Sequence, residues 1–426
     1  MSWNQLYRLR HYLKSSLWVV PFVAIPLALL AARSLHRLDA WLDWSFLGFG
    51  VAGAKTLLDA FVTATLSFVV FTFGSMLVAI QVASAQMTPR IIATTLLRND
   101  VVKYTVGLLI FTLMFALAAQ NRMETEVLQL VMFVATLLGI LSFAAFFYLI
   151  DYASRLLRPI SILAHVGDDG IAVIESVYPD PGSMPAAGGK DLDLGAPDRL
   201  IRHQGTSGIV LAVNLGLLVA EAERYDGVIE FVPEVGDFVS VDEPLFNLYG
   251  GARAIDEATL RASVALGSER TIDQDPTFAF RIVVDIAIRA LSPAINDPTT
   301  GVLAIDQLHR MLRTVGTRNL RTDEIADGSG KLRLIFRTPN WEDFIHLAFS
   351  EIRSFGSNNL QIVRRLRAMI ENLMQTLPQY RHAALLTELS LLDREIEKCF
   401  RYPEELALAR IADAQGLGGH SGKIKH

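Results

Sequence analysis

Followed from the N-terminus, the apolar and polar positions of this chain change character near residue 158. Before that point lie four apolar runs, at about 15–32, 57–88, 104–121 and 127–150. Each is close to or longer than the roughly 20 residues that a helix needs to cross a hydrocarbon core. The first contains Pro21 and Pro26 and is expected to tilt or kink, with neighbouring helices satisfying the freed carbonyls. Only a short polar turn with Arg122, Glu124 and Glu126 separates the last two, so they should form an antiparallel hairpin. Between the first and second runs, Trp41, Trp44, Phe46 and Phe49 flanked by Asp39 and Asp43 read as an interfacial stretch, or else as a plain loop.

The second run holds the most information. A helix from about Lys55 to Thr88 would be roughly 50 Å long, beyond the hydrocarbon thickness of about 30 Å, so it must tilt or project. Its small and polar residues Asp59, Thr63, Ser67, Gly74, Gln81, Ser84 and Thr88 fall on alternating four- and three-residue steps, completed by Val70 and Leu77. Such a stripe packs against a partner helix or faces a shared axis. In the second case copies of the helix line a pore, with Asp59 at its outer mouth biasing it towards cations. Pro89, followed by Arg90, predicts a bend or domain junction, because proline disfavours helical geometry in the preceding residue.

After residue 158 the periodicity becomes that of a water-soluble α+β region. Gly208–Val213 and Gly227–Val232 read as strands, with a helix over Leu217–Arg224 between them. Val235-Gly-Asp-Phe-Val-Ser-Val-Asp-Glu-Pro-Leu245 resembles the turn-and-strand signature of barrel-sandwich folds such as biotinyl and lipoyl carriers. A small β barrel or sandwich is therefore expected around Gly205–Tyr249. No lysine occurs between Lys190 and Lys331, so a carrier arm in this segment is excluded and no cofactor is expected.

Asp275–Leu291 predicts an amphipathic helix whose Arg281, Asp285 and Arg289 stand at four-residue spacing and can pair. In the following Ser-Pro-Ala-Ile-Asn-Asp-Pro loop, Asn296 and Asp297 are placed to satisfy backbone donors at the start of the next helix. With Arg289 they are also candidates for a ligand or subunit contact. Lys331–Arg337 reads as a strand, and Trp341–Phe355, Asn359–Gln375 and Tyr380–Phe400 as helices. Arg364, Arg365 and Arg367 read first as a solvated face, and second as a contact for anionic lipid or an acidic neighbour.

The expected organisation is a membrane α-helical domain over 1–158, a β-rich domain over 159–260, a mainly helical unit over 261–415 and a flexible tail over 416–426. Charge orients it. Arg8, Arg10, Lys14, Arg90, Arg98, Lys103, Arg155 and Arg158 lie on one side of the four runs, against Arg33, Arg37, Lys55 and Arg122 on the other. Positively charged loops stay inside, so both termini and the soluble region are expected in the cytoplasm.

Composition narrows the chemistry further. Of 426 residues, 51% are hydrophobic and 19% charged, and the charged ones are scarce between Lys55 and Arg155. The net charge of −5 provides no basic field for nucleic acid, and the single cysteine, Cys399, excludes an intrachain disulfide. His165, His203, His309, His346 and His382 lack paired ligand spacing, so no metal site is expected. No phosphate loop or dinucleotide fingerprint occurs, and nothing points to an enzyme.

Four segments in order, Ser84-Ala-Gln-Met-Thr-Pro-Arg90, Gly236-Asp-Phe-Val239, Arg289-Ala-Leu-Ser-Pro-Ala-Ile-Asn-Asp-Pro298 and Gly416-Leu-Gly-Gly419, together with the N-terminal runs, resemble a bacterial family of predicted membrane proteins defined as a domain of unknown function. The resemblance implies a bacterial inner membrane and supplies no activity or catalytic residues. The leading expectation is a homo-oligomeric pore or transport-related protein that contacts lipid and ions and is lined by the second run. The alternative is a membrane-anchored scaffold or sensor whose soluble region binds a ligand or partner.

Overall fold

The computed structural model describes residues 2–42, 48, 50–86, 100–121, 127–156, 158–181, 194–320 and 323–419. They divide into two compact units, His11–Ile162 and a second made of Met1–Arg10 with Leu163–His426.

In the first unit four helices are long and apolar enough to cross a membrane. After α1 (Trp3–Ser15) they are α2 (Val19–Leu42), α3 (Val51–Gln86), α4 (Asp100–Gln120) and α5 (Gln129–Leu156). Both α2 and α3 pack on α4, and α4 packs on α5. Small residues let them approach: Ala28, Ala32, Ala54, Ala116, Ala119 and Ala135 are buried together around Leu58 and Phe115. Buried hydroxyls bond within the bundle, Ser142 donating to Thr112 Oγ1 at 2.9 Å and Thr65 to the Phe61 carbonyl at 2.6 Å. Asp39, also buried, accepts from the Leu130 amide at 3.0 Å, placing a carboxylate where the exposed amides and dipole of a helix N-terminus favour one. Of the expected interfacial stretch, Trp41 is exposed at the end of α2, and residues 43–47 and 49 lie outside the described residues.

The second unit starts with residues of α1. Trp3 and Tyr7 pack against Leu211, Ala212 and Ala265, and the Tyr7 hydroxyl donates to Asp273 at 3.1 Å. After α6 (Pro159–Val177) come β1 (Arg199–Arg202), β2 (Gly208–Val213), α7 (Leu215–Arg224), β3 (Gly227–Phe231), β4 (Phe238–Val239), β5 (Pro244–Gly250), α8 (Glu257–Ala262) and β6 (Val264–Gly267). The helical part has α9 (Pro276–Ala290) and α10 (Pro298–Gly316), then β7 (Glu324–Ala326) and β8 (Leu332–Phe336). The chain continues with α11 (Trp341–Gly356), α12 (Leu360–Thr376), α13 (His382–Cys399) and α14 (Pro403–Ala409).

Of the small barrel or sandwich expected around Gly205–Tyr249, a closed barrel is not found among the described residues. Instead there are two open sheets, ordered β1-β5-β3-β8-β7 and β4-β2-β6. The reason is the partner of β3: one edge pairs antiparallel with β5, while the other takes β8 in parallel, Ile229 opposite Leu334. A strand from far along the chain thus occupies the edge that local closure would need, and β2 joins the second sheet. Both sheets contribute to one core with Val210, Phe231, Phe246 and Leu334.

The two parts of the soluble region, expected as separate domains, belong to one compact unit. Within the helical part α9 is central, packing on α10 and α11. Its Arg281 pairs with Asp285 one turn on, as the spacing predicts, and also reaches Glu351 of α11. The arginine cluster departs from its expected solvated face. Arg364 is fully buried and donates to the carbonyls of Ile411 (3.0 Å) and Gly418 (2.8 Å). Arg365 and Arg367, also buried, pair with Asp306 and Asp393. These bonds fix the start of the tail expected to be flexible: Gly416 and Gly418 take left-handed backbone angles, φ +68° and +80°, and the Gly418 amide donates to Asp413 at 2.6 Å.

Candidate functional site

Polar groups meet an accessible surface at several places, and two of them bear on function. The first is the outer face of α3. Its buried residues Ala54, Leu58, Phe61, Thr65 and Thr72 form the seam against the bundle. Asp59, Thr63, Ser67, Gly74 and Gln81 are all exposed. At about 100° of helix rotation per residue, the two sets lie roughly 170° apart, so most of the stripe points away from its own bundle, while Asp59 bonds back to Gln120 of α4. A Cβ added at Gly74 would meet nothing, whereas one added at Gly139 of α5 would fall on the Phe61 ring. Close packing within the chain therefore uses Gly139, not Gly74.

Asp59 accepts from Gln120 Nε2 at 2.6 Å, and the Ser67 hydroxyl donates to the Thr63 carbonyl at 2.8 Å. The apolar window of α3 is Val51–Val78, so Gln81 stands one turn past its end. Ser84 continues the helix, while Thr88 and the junction residues Pro89 and Arg90 lie outside the described residues.

The loop before α10 has the backbone role its sequence allows. Asp297 caps α10, accepting from the Thr300 amide at 3.1 Å and its hydroxyl at 2.6 Å. Asn296 sits at φ +49°, a left-handed position asparagine tolerates, and the Arg289 carbonyl accepts from the Ser292 hydroxyl at 2.7 Å. None of the three lines a cavity described below.

The second place is a cleft of about 520 Å³ in the soluble unit, at the end of α6 and beside the start of α9. A volume of this size suits a small organic ligand. Phe231, Phe336, Val213 and Ile325 contribute apolar walls, and Tyr178, Glu234, Gln274, Asp275 and Arg337 contribute polar groups. Asp275 is placed by its helix: it caps α9, Oδ1 accepting from the Phe278 amide at 3.0 Å, with Pro276 at the first position, where no amide is needed. Its Oδ2 is buried with no hydrogen-bond partner among the described residues, the Arg270 guanidinium being 3.9 Å away.

That oxygen also explains a glycine. Gly236 has φ +97°, and a Cβ there would come within 2.5 Å of Asp275 Oδ2. Tyr178 is fully buried, its ring edge-on to Phe344, and its hydroxyl too has no partner among the described residues. Burial pushes the Glu234 carboxyl up to about 7, helped by the charges of Asp237, Asp343 and Asp275 and opposed by Arg337. Burial also raises Asp275, and it raises Tyr178 with added effect from Glu234 and Asp275.

Sequence reading did not mark this cleft. Its residues come from 176–180, 213–235, 274–276 and 319–339, and only Asp275, ahead of a proline at a helix start, has a local signature.

Residues 14–372 match a family model described as "Predicted membrane protein". A protein of Mycobacterium bovis named "Uncharacterized protein" is 26% identical over 434 aligned residues, covering 95% of this chain and 80% of the relative. A Mycobacterium tuberculosis protein of the same description matches at the same identity and coverage. No solved structure matches the chain.

Proposed function

The chain belongs to the Predicted membrane protein family of unknown function, DUF2254, and from that premise we propose a homo-oligomer of a bacterial inner membrane whose α3 stripes meet around a shared axis that passes ions. The observation that carries this reading is the placement of Asp59, Thr63, Ser67, Gly74 and Gln81 on the face of α3 opposite its bundle seam. Polar side chains in a membrane segment face protein or water in preference to lipid. Asp59 and Gln81 are separated by roughly 33 Å of helix, close to the thickness of a hydrocarbon core, with Asp59 inside the apolar window Val51–Val78 and Gln81 just past its end. Thr63, Ser67 and Gly74 then fall between two polar mouths. The Ser67 hydroxyl is taken by the Thr63 carbonyl and Asp59 by Gln120 of α4 in the same bundle, so Thr63 and Gln81 are the polar groups that carry the reading.

Both termini lie on the cytoplasmic side in this reading. Two features support it: the distribution of Lys and Arg, and the packing of Trp3 and Tyr7 against Leu211, Ala212 and Ala265, with an even number of candidate spans between these segments. No catalytic step is part of the proposal. In the alternative, an anchored scaffold or sensor, the same stripes pack together without water between them.

Cysteines at Thr63, Ser67 and Gly74 distinguish these readings in the otherwise intact protein in lipid. A water-lined axis makes them react with small polar thiol reagents while cysteines at Phe68 and Phe71 do not, and Gln81→Leu changes ion flux. Cross-linking between subunits without reagent access or flux leaves the packed scaffold. A monomer in lipid with the stripe exposed to acyl chains refutes both.

A further inference from the structure

We infer that the cleft beside α6 and the start of α9 binds a small organic cation, a primary ammonium group on an apolar body, through Tyr178, Glu234 and Asp275. This goes beyond the pore reading and stands independently of it. Three acceptor oxygens carry the inference: the Glu234 carboxylate, Asp275 Oδ2 and Tyr178 Oη, all from residues that line one cavity. The last two belong to side chains that are almost wholly buried and make no hydrogen bond to a described residue, although the Arg270 guanidinium stands 3.9 Å from Asp275 Oδ2 as an ion pair. A buried acceptor without a hydrogen bond costs about 1–3 kcal/mol, more if charged, so each of these oxygens favours a donor. A primary ammonium has three donors, one for each oxygen.

Charge selects the sign of the ligand. Asp180, Glu234, Asp275 and Glu324 line the cleft against Arg337, with Arg270 pairing Asp275 from outside the lining, which leaves carboxylates in excess. An anion would add to this excess of carboxylates. A metal ion is disfavoured by geometry, since no group of three or more His, Cys, Asp or Glu side chains suited to one is found among the described residues. Phe231 and Phe336 supply the wall against which an apolar body packs.

The site also has a pH signature. Glu234 feels Asp237, Asp343 and Asp275 on one hand and Arg337 on the other, beside a Tyr178 hydroxyl that stays neutral, and it holds its proton up to about pH 7. A cation binds the ionised form and displaces that proton. An amine that stays protonated throughout should therefore bind roughly tenfold more tightly at pH 8 than at pH 6.

The test is calorimetric titration of the full-length protein in lipid nanodiscs, with empty nanodiscs subtracted. The probes are benzylamine, 2-phenylethylamine and cyclohexylmethylamine, with 2-phenylethanol as the neutral control. At least one amine should bind one-to-one at pH 8, about tenfold more weakly at pH 6, and at least tenfold more tightly than the alcohol. Glu234→Gln should weaken it about tenfold and flatten the pH dependence. Tyr178→Phe, which keeps the buried ring, should weaken it several-fold. The proposal is overturned by the absence of binding for all three amines, by equal binding of amine and alcohol, or by binding that both substitutions leave unchanged.

Discussion

In residues 11–162 the buried polar side chains are mostly small, and several bond to a near group: Thr65 to a carbonyl on its own helix, Ser142 to Thr112, Asp39 to the start of a neighbouring helix. In residues 163–419 whole guanidinium groups are buried instead, with Arg364 reaching two loop carbonyls and Arg333 joined to Asp327 and Asp226. The surfaces differ in the opposite sense. The spans leave Leu66, Val70, Phe71, Leu77 and Val78 outside, while most large apolar side chains of α9 to α12 are inside. The two patterns have one cause, the solvent. Lipid satisfies apolar surface and gives no hydrogen bonds, so a span keeps its polar groups few and locally closed. Water allows a soluble unit to carry many charges, and some of them organise its interior.

The contrast would break if the buried arginines were incidental. Arg364→Ala should produce the largest effect, a loss of about 3 kcal/mol or more, because it removes a fully buried side chain and leaves the Ile411 and Gly418 carbonyls without their donor. Denaturation followed by a fluorescent label on the soluble unit measures it. A loss below about 0.5 kcal/mol would mean that the C-terminal loop repacks freely.

Within the membrane unit, Gly139 and Gly74 sharpen the comparison. Gly139→Ala should cost about 1–3 kcal/mol by forcing the Phe61 ring aside, read as a lower unfolding temperature in detergent, and Phe61→Leu should recover part of it. Gly74→Leu has open space within the chain and should leave that temperature nearly unchanged while reducing the oligomer fraction in native mass spectra. Equal loss of stability at both positions would place Gly74 inside the bundle.

The smallest effect concerns pH. Glu234 keeps its proton up to about 7 in the folded protein, against an ordinary value of 4.5. Between those values the folded state binds more protons than the unfolded one, so this group's contribution to stability falls as pH rises from 4.5 through 7. Glu234 is partly exposed, so solvent screening reduces the change to about 1 kcal/mol. Glu234→Gln should flatten that part of the stability curve, and an unchanged slope would show that the carboxyl titrates normally.

Elements with a strong local signature were legible in the residues. Each of the four membrane helices covers one of the predicted apolar runs, and α9 and α10 begin where Asp275 and Asp297 stand before Pro276 and Pro298. The membership of one family was legible too, from short segments spread along the chain. Arg364 was not, because a run of arginines reads as a solvated face until a distant loop supplies carbonyls to bury it.

What the sequence by itself determined is thus the number and position of the spans, the helix starts of the soluble unit and the polar rhythm of α3, all set by periodicities and caps within about twenty residues. The tertiary structure decided which face of α3 the bundle covers, since a stripe of small and polar residues fits a packed seam as well as an outward face. It also decided the pairing of β3 with β8 and the meeting of Tyr178, Glu234 and Asp275 around one cleft. These depend on contacts between segments tens of residues or more apart, where what each residue does is set by its neighbours in space and not by its neighbours in the chain.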